Sequence, residues 1–328
     1  ERGLERRVEK RRQKPSLISF VGYYGGVLEP KRPLVEGWPL EARCLHLEAI
    51  TRGDTVIIGG VERPFNRFLA NVSPGFMKSL LVNVFWPAWE WGPIGLSHLR
   101  YISFSYASHL TERDNGKFRD LILSRKYQEL WGDCFTLTED GKVRVANDKT
   151  GWKFASSVGG VGTGERGDRV LVDDPHNVKQ QESEVIRTET VRWFQESISN
   201  RLNDLSESAI IVIMQRVHGD DVSGSILKTG IKEYVHLMMP MEFESDRRCK
   251  TEIGWSDPRA KDGELAWPER FSQRSLAAYK LLPYMWAGQY QQRPAPRGGG
   301  IIKRAWWKRW EGNKFPAFDF VLASADTA

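Results

Sequence analysis

This chain is poor in several features, and each shortage excludes something. Its cysteines, Cys44, Cys134 and Cys249, are odd in number and widely separated. That argues against a disulfide framework or a zinc cluster and suits a reducing cytoplasm. The six histidines show no H-x-x-x-H spacing, so no histidine metal site is expected. No apolar run approaches the roughly 18 residues of a membrane span; residues 82–91 come nearest, interrupted by Asn83, Pro87 and Glu90. The opening Glu1-Arg2-Gly3-Leu4 has no apolar core of a secretory signal and no initiator Met, so a trimmed N-terminus is expected. An N-K-x-D guanine-reading motif is missing as well.

What is present is a sizeable soluble chain. Its 328 residues allow one large or two ordinary domains, and 40% apolar with 27% charged content supports a real core. The net charge of +6 is unevenly spread. Residues 1–14 carry seven Lys/Arg against three Glu, the pattern of an interaction arm. Near the other end, Arg297, Lys303, Arg304, Lys308, Arg309 and Lys314 are interleaved with Trp306, Trp307 and Trp310. Such a segment suits nucleic acid, through phosphate neutralisation and stacking; equally, it is a solvated basic face anchored by its tryptophans.

Two segments about a hundred residues apart carry the chemistry. Phe68-Leu69-Ala70-Asn71-Val72 reads as a buried strand, Ser73-Pro74-Gly75-Phe76-Met77 as a tight turn, and Lys78-Ser79-Leu80 as a helix start. Later, the apolar run Val170-Leu171-Val172 delivers Asp173 and Asp174 at its end. Amides and an ammonium for phosphate oxygens, with a hydroxyl and a carboxylate for Mg²⁺, are the minimum for holding ATP. The loop departs from G-x-x-x-x-G-K-[ST], since Val72 and Met77 stand where the glycines belong. An ordinary turn and a pair of helix-capping aspartates are the alternative.

Around these segments strands and helices alternate. Helices are expected at 40–51, 114–131 and, from Val191, Phe194, Ile198, Leu202 and Leu205, over 191–205; strands at 100–106, 142–146, 152–158 and 209–214. The alternation predicts an α/β fold with a mainly parallel sheet. The expected divisions are an N-terminal arm or lid (1–50), an ATPase core (51–240), a linker or subdomain (241–314) and the first strand of a truncated second domain (315–328).

In this order the segments resemble the large terminase subunit of tailed bacteriophages, the ATPase of the DNA-packaging motor. Residues 72–79 are similar to that family's variant phosphate loop, 157–164 with 170–175 to its Gly-rich approach to the acidic pair, and 213–221 to its coupling segment. Ser324-Ala325-Asp326-Thr327-Ala328 resembles the first strand of its RNase H-like nuclease. The resemblance implies a P-loop NTPase of the ASCE type, with ATP and Mg²⁺ as cofactors. Pro74, Gly75, Phe76, Met77, Lys78, Ser79 and Leu80 would surround the phosphates, and Ser79 and Asp173 would hold the metal. Asp174 would be the catalytic carboxylate, while Gln215 and Arg216 would sense the γ-phosphate. Arg166, flanked by glycines, is the leading arginine finger, ahead of Arg113 and Arg119. Asp326 would be one metal ligand of an incomplete nuclease site, so cutting is expected only of a longer protein. Implied partners are double-stranded DNA, a portal protein, a small terminase subunit and other copies in a ring on the procapsid, in the host cytoplasm and without a membrane. A helicase or recombinase on the same core, or a DNA-binding scaffold with a non-hydrolysing loop, are the competing readings.

Overall fold

The computed structural model describes residues 14–160, 164–180, 182–228 and 233–295. Residues 1–13 of the basic N-terminal arm, the basic tryptophan-rich segment and Asp326 lie outside the described residues.

Six strands of the central sheet are parallel neighbours: β10 (Val235–Met239), β3 (Arg67–Val72), β9 (Ala209–Met214), β8 (Arg169–Asp173), β4 (Arg100–Ser105) and β7 (Trp152–Ser157), in that order. Antiparallel β6 (Arg144–Asn147) and β5 (Leu137–Asp140) extend the β7 edge. A separate hairpin, β1 (Thr55–Ile58) and β2 (Val61–Pro64), turns on Gly59 and Gly60, both at positive φ, as a tight hairpin turn requires. The expected mainly parallel α/β sheet with flanking helices is therefore the observed architecture.

The inner strands are apolar throughout because both sheet faces are covered, and alternate residues feed separate cores. Phe68, Ala70, Val72, Leu171, Ile211 and Ile213 join one core. Leu69, Val170, Val172, Ile210, Val212 and Met214 join the other, against Phe194, Ile198 and Leu202. Helices α1 (Leu17–Leu28) and α2 (Trp38–Arg52) contribute Phe20, Val21, Leu40 and Leu47 to the first core.

Local departures from the expected elements have local causes. Residues 15–50 hold two helices rather than one, because Ser16 caps α1 at the Ser19 amide. The long helix over 114–131 is two helices, α5 (Ser108–Leu123) and α6 (Arg125–Trp131). Ser124 sits between them at ψ 143° and caps the second through the Tyr127 amide. The helix expected to reach residue 205 is α7 (Glu184–Ser197); Leu202 instead bridges to Gly167, and Leu205 is exposed.

After Pro240 the chain is irregular but not loose. Residues up to Ala295 belong to the same compact unit as the sheet, and Met241, Phe243, Ala266 and Trp267 are buried. A single arginine organises this stretch. Arg259 pairs with Asp257 through Nη2–Oδ2 at 2.7 Å and Nε–Oδ1 at 3.0 Å. Its Nη1 donates to the carbonyls of Pro240, Met241 and Glu264. The Met241 carbonyl also accepts from the Ala266 amide at 2.8 Å, so the guanidinium adds to a sparse backbone pairing in a stretch with little regular structure. Arg259→Met should lower the unfolding free energy by about 3–5 kcal/mol, the cost of stranding a buried partner charge. Urea denaturation checks it, and a loss below about 1 kcal/mol would count against this role.

Candidate functional site

In a parallel sheet every strand ends on the same edge, so loops far apart in sequence become neighbours there. β3 ends in residues 73–77. Ser73 is buried and donates through Oγ to the Tyr290 carbonyl at 3.1 Å. Gly75 takes φ +80°, with a Phe271 ring carbon 3.0 Å from where a Cβ would lie. Phe76 is fully buried, stacked on Phe271 and edge-on to Trp267, each at 5.5 Å between ring centroids. Met77 occupies the left-handed region at φ 58°, the conformation for which glycine would be favoured. Packing of Phe76 holds a loop that its sequence alone disfavours.

The helical run then opens with α3 (Lys78–Leu80) and continues through a π-helical turn, Leu81–Phe85, into α4 (Trp86–Trp91). Lys78 is buried, and its Nζ lies 3.1 Å from Asp174 Oδ2. Two residues 96 positions apart, across the intervening strand β9, thus meet in an ion pair.

Asp173, the last residue of β8, is buried beside them. One carboxylate oxygen accepts from Asn83 Nδ2 at 3.1 Å, while Oδ1 is buried without a hydrogen-bond partner. Burial first, then repulsion from Asp174 and Asp114, pushes its pKa up to about 8; the Ser79 hydroxyl and Lys78 oppose the rise. Asp174 sits at φ 42°. Its carboxylate accepts from the Gln215 amide at 3.0 Å, its amide donates to Ile213, and its carbonyl accepts from Tyr106 N at 3.3 Å. An orphaned carboxylate oxygen beside a hydroxyl is a hard-oxygen donor set of the kind Mg²⁺ takes. The residues present fit that ion.

The structure therefore brings Lys78 and Ser79 to Asp173, Asp174 and the Gln215 backbone. Pro74, Gly75, Phe76, Met77 and Leu80 flank them in the loop and first helical turn, Met77 and Leu80 also lining a separate cavity with Leu28 and Arg270. The Gln215 side-chain oxygen is buried and unpartnered. Arg216 is different: its Nε lies 3.0 Å from both Asp221 oxygens, and Nη2 reaches the His218 carbonyl, so its guanidinium is committed within its own loop. Arg166 is exposed and precedes β8, at the sheet edge opposite the acidic pair. Arg113 pairs with Asp114 at 2.8 Å, and Arg119 donates to the Asp140 carbonyl.

Three neighbours escaped the sequence reading. Asn83 lies four residues after Ser79, a spacing that puts both on one helical face and was available as a signal. His176 accepts from the Val222 amide at 2.9 Å, tying the acidic loop to α8 (Val222–Lys228); burial lowers its pKa to about 4, so it is a neutral acceptor. Arg43, on α2, reaches the Phe76 carbonyl, and no sequence pattern signals that.

By sequence, the chain matches no protein-family model and no curated protein. By fold it is similar to the large terminase of bacteriophage HK97, with a TM-score of 0.50 at 13% sequence identity. The match covers 86% of this chain and 55% of that one, so this chain spans about half the length of the terminase. The likeness is one of fold. No helix among the described residues is long and apolar enough to cross a membrane.

The raised pKa of Asp173 has a stability consequence. The folded protein keeps a proton there that the unfolded chain releases above about pH 4, so stability falls as pH rises from about 4 to about 8. Asp173→Asn should therefore stabilise the metal-free protein at pH 8 by more than ~1 kcal/mol, with the gain vanishing near pH 4. Urea unfolding with a chelator across this range tests it; a destabilised variant at pH 8 contradicts it.

Proposed function

We propose that the chain is the ATPase part of a DNA-packaging motor, a Mg²⁺-dependent ATP hydrolase that drives double-stranded DNA into a viral procapsid. The observation that carries the reading is the 3.1 Å approach of Lys78 to Asp174, with Ser79 beside Asp173. A strand–loop–helix bearing Lys-Ser and a strand ending in Asp-Asp, separated by one strand, support a P-loop ATPase. The fold similarity supports the terminase branch of that class.

In this mechanism the amides of residues 75–79 and the Lys78 ammonium bind the β- and γ-phosphates. Ser79 and Asp173 would hold Mg²⁺, which would supply positive charge to the phosphate oxygens. Lys78 exchanges Asp174 for phosphate oxygen, leaving Asp174 to orient or deprotonate the attacking water. Its carboxylate stays aimed because the Gln215 amide holds one oxygen. Gln215 would respond to the γ-phosphate, and Arg216 would contribute only if its bond to Asp221 opened. A charge in trans from a neighbouring subunit would complete the site, and Arg166, away from its own acidic pair, suits that role. Double-stranded DNA, a portal, a small terminase subunit and further copies in a ring are the partners that follow, in the host cytoplasm at the procapsid. Asp326, outside the described residues, would be a nuclease metal ligand in the same reading.

Lys78→Ala should reduce ATP turnover at least ~100-fold by removing a charge from the transferring phosphate. Turnover is measured with the protein assembled on its portal and DNA, because a trans-acting site is nearly silent in a monomer. Near-normal hydrolysis by this variant would refute the loop assignment. An inactive wild-type assembly would refute the ATPase reading as a whole.

A further inference from the structure

The phosphate loop lacks its second glycine, yet it is held from behind by one fully buried cation. Arg43 is completely inaccessible to solvent. Its Nε donates to the Pro39 carbonyl at 2.8 Å, its Nη1 donates to the Phe76 carbonyl, and its guanidinium carbon lies 6.0 Å from the centre of the Phe76 ring. The third nitrogen, Nη2, is buried with no hydrogen-bond partner. Burying a guanidinium with an unmet donor is costly. Burial, with Arg270 nearby, lowers its pKa only to about 10, so it is charged at neutral pH.

The Phe76–Met77 peptide is trans, and in a trans peptide the carbonyl and the following N–H point in opposite directions. A carbonyl drawn toward Arg43 therefore turns the Met77 N–H to the other side of the loop. Were the peptide flipped, a carbonyl oxygen would face the phosphate cradle and repel an anion. In a loop with glycine at position 77, local backbone preference would favour this geometry; here Met77 is held at φ 58° against its own preference.

Building on the ATPase reading above, we propose that Arg43 is a positioning residue of the phosphate loop. By holding the Phe76 carbonyl it presents the Met77 amide to the nucleotide's phosphates, replacing the missing glycine. It does not touch the nucleotide itself. Phe271 and Trp267, packed on Phe76, complete the brace.

The test uses the full chain and ADP as probe. Arg43→Met should weaken ADP binding by about tenfold or more in calorimetric titration, the effect of losing a charge-assisted hydrogen bond. Arg43→Lys, which keeps one charged donor, should recover part of that loss. In the wild-type protein, hydrogen exchange at the Met77 amide should slow on adding ADP. That measurement stands even if Arg43→Met does not fold. A folded Arg43→Met variant binding ADP within about twofold of wild type would overturn the proposal. So would unchanged exchange at Met77 while the Lys78 and Ser79 amides become protected. If the wild-type chain binds no ADP at all, the ATPase reading fails and takes this proposal with it. Normal wild-type binding with an indifferent Arg43→Met sinks the role of Arg43 alone.

Discussion

The contact on which the site depends is the ion pair between Lys78 and Asp174. Neither residue is near the other in sequence, and neither would be held there by local structure. They meet because β3 and β8 run parallel with only β9 between them, so that both chains leave the sheet at the same edge. The hydrogen bonds of Asp174 to Ile213 and Gln215 fix the acidic loop to the end of β9, the strand next to β3 and the Lys78 loop. The sheet is thus the ruler that sets the distance between ammonium and carboxylates. Two covered faces make that ruler stiff, since each strand contributes alternate residues to two separate cores.

The cost of such a site is visible in its surroundings. Asp173 is buried beside a second carboxylate, with one oxygen unpartnered. Met77 and Asp174 both adopt positive φ without being glycine. Strain and unmet hydrogen-bonding capacity of this kind persist only where the surrounding packing over-determines the backbone. Here the over-determination comes from Phe76 between Trp267 and Phe271, from Ser73 bound to Tyr290, and from Arg43 behind the loop. The irregular stretch after Pro240 therefore helps hold the loop that follows β3, although it reads as a polar connector.

Much of the frame was legible in the residues. The apolar runs 68–72, 170–172 and 209–214 are central strands, and their continuous hydrophobicity marks burial on both faces. Lys78, Ser79, Asp173 and Asp174 were singled out by residue type and by their place at strand ends. Helix ends were less legible: Ser124 interrupts an amphipathic pattern through its own side chain, and glycines at 22, 25 and 26 disguise α1. Arg216 was grouped with Gln215 at the end of the buried strand, yet Asp221 holds its side chain within the loop that follows.

By itself the sequence determined most of the inner strands, though not β10 at the sheet edge, and which residue types reach their ends and what chemistry those types permit, because periodicity and polarity are local properties. Only the tertiary structure decided that β9 separates the two loops and that Lys78 finds Asp174. It also decided that a departure from the glycine pattern is tolerated because distant aromatics and Arg43 brace the backbone. Those outcomes depend on contacts between residues 30 to more than 200 positions apart, and no window along the chain contains both partners.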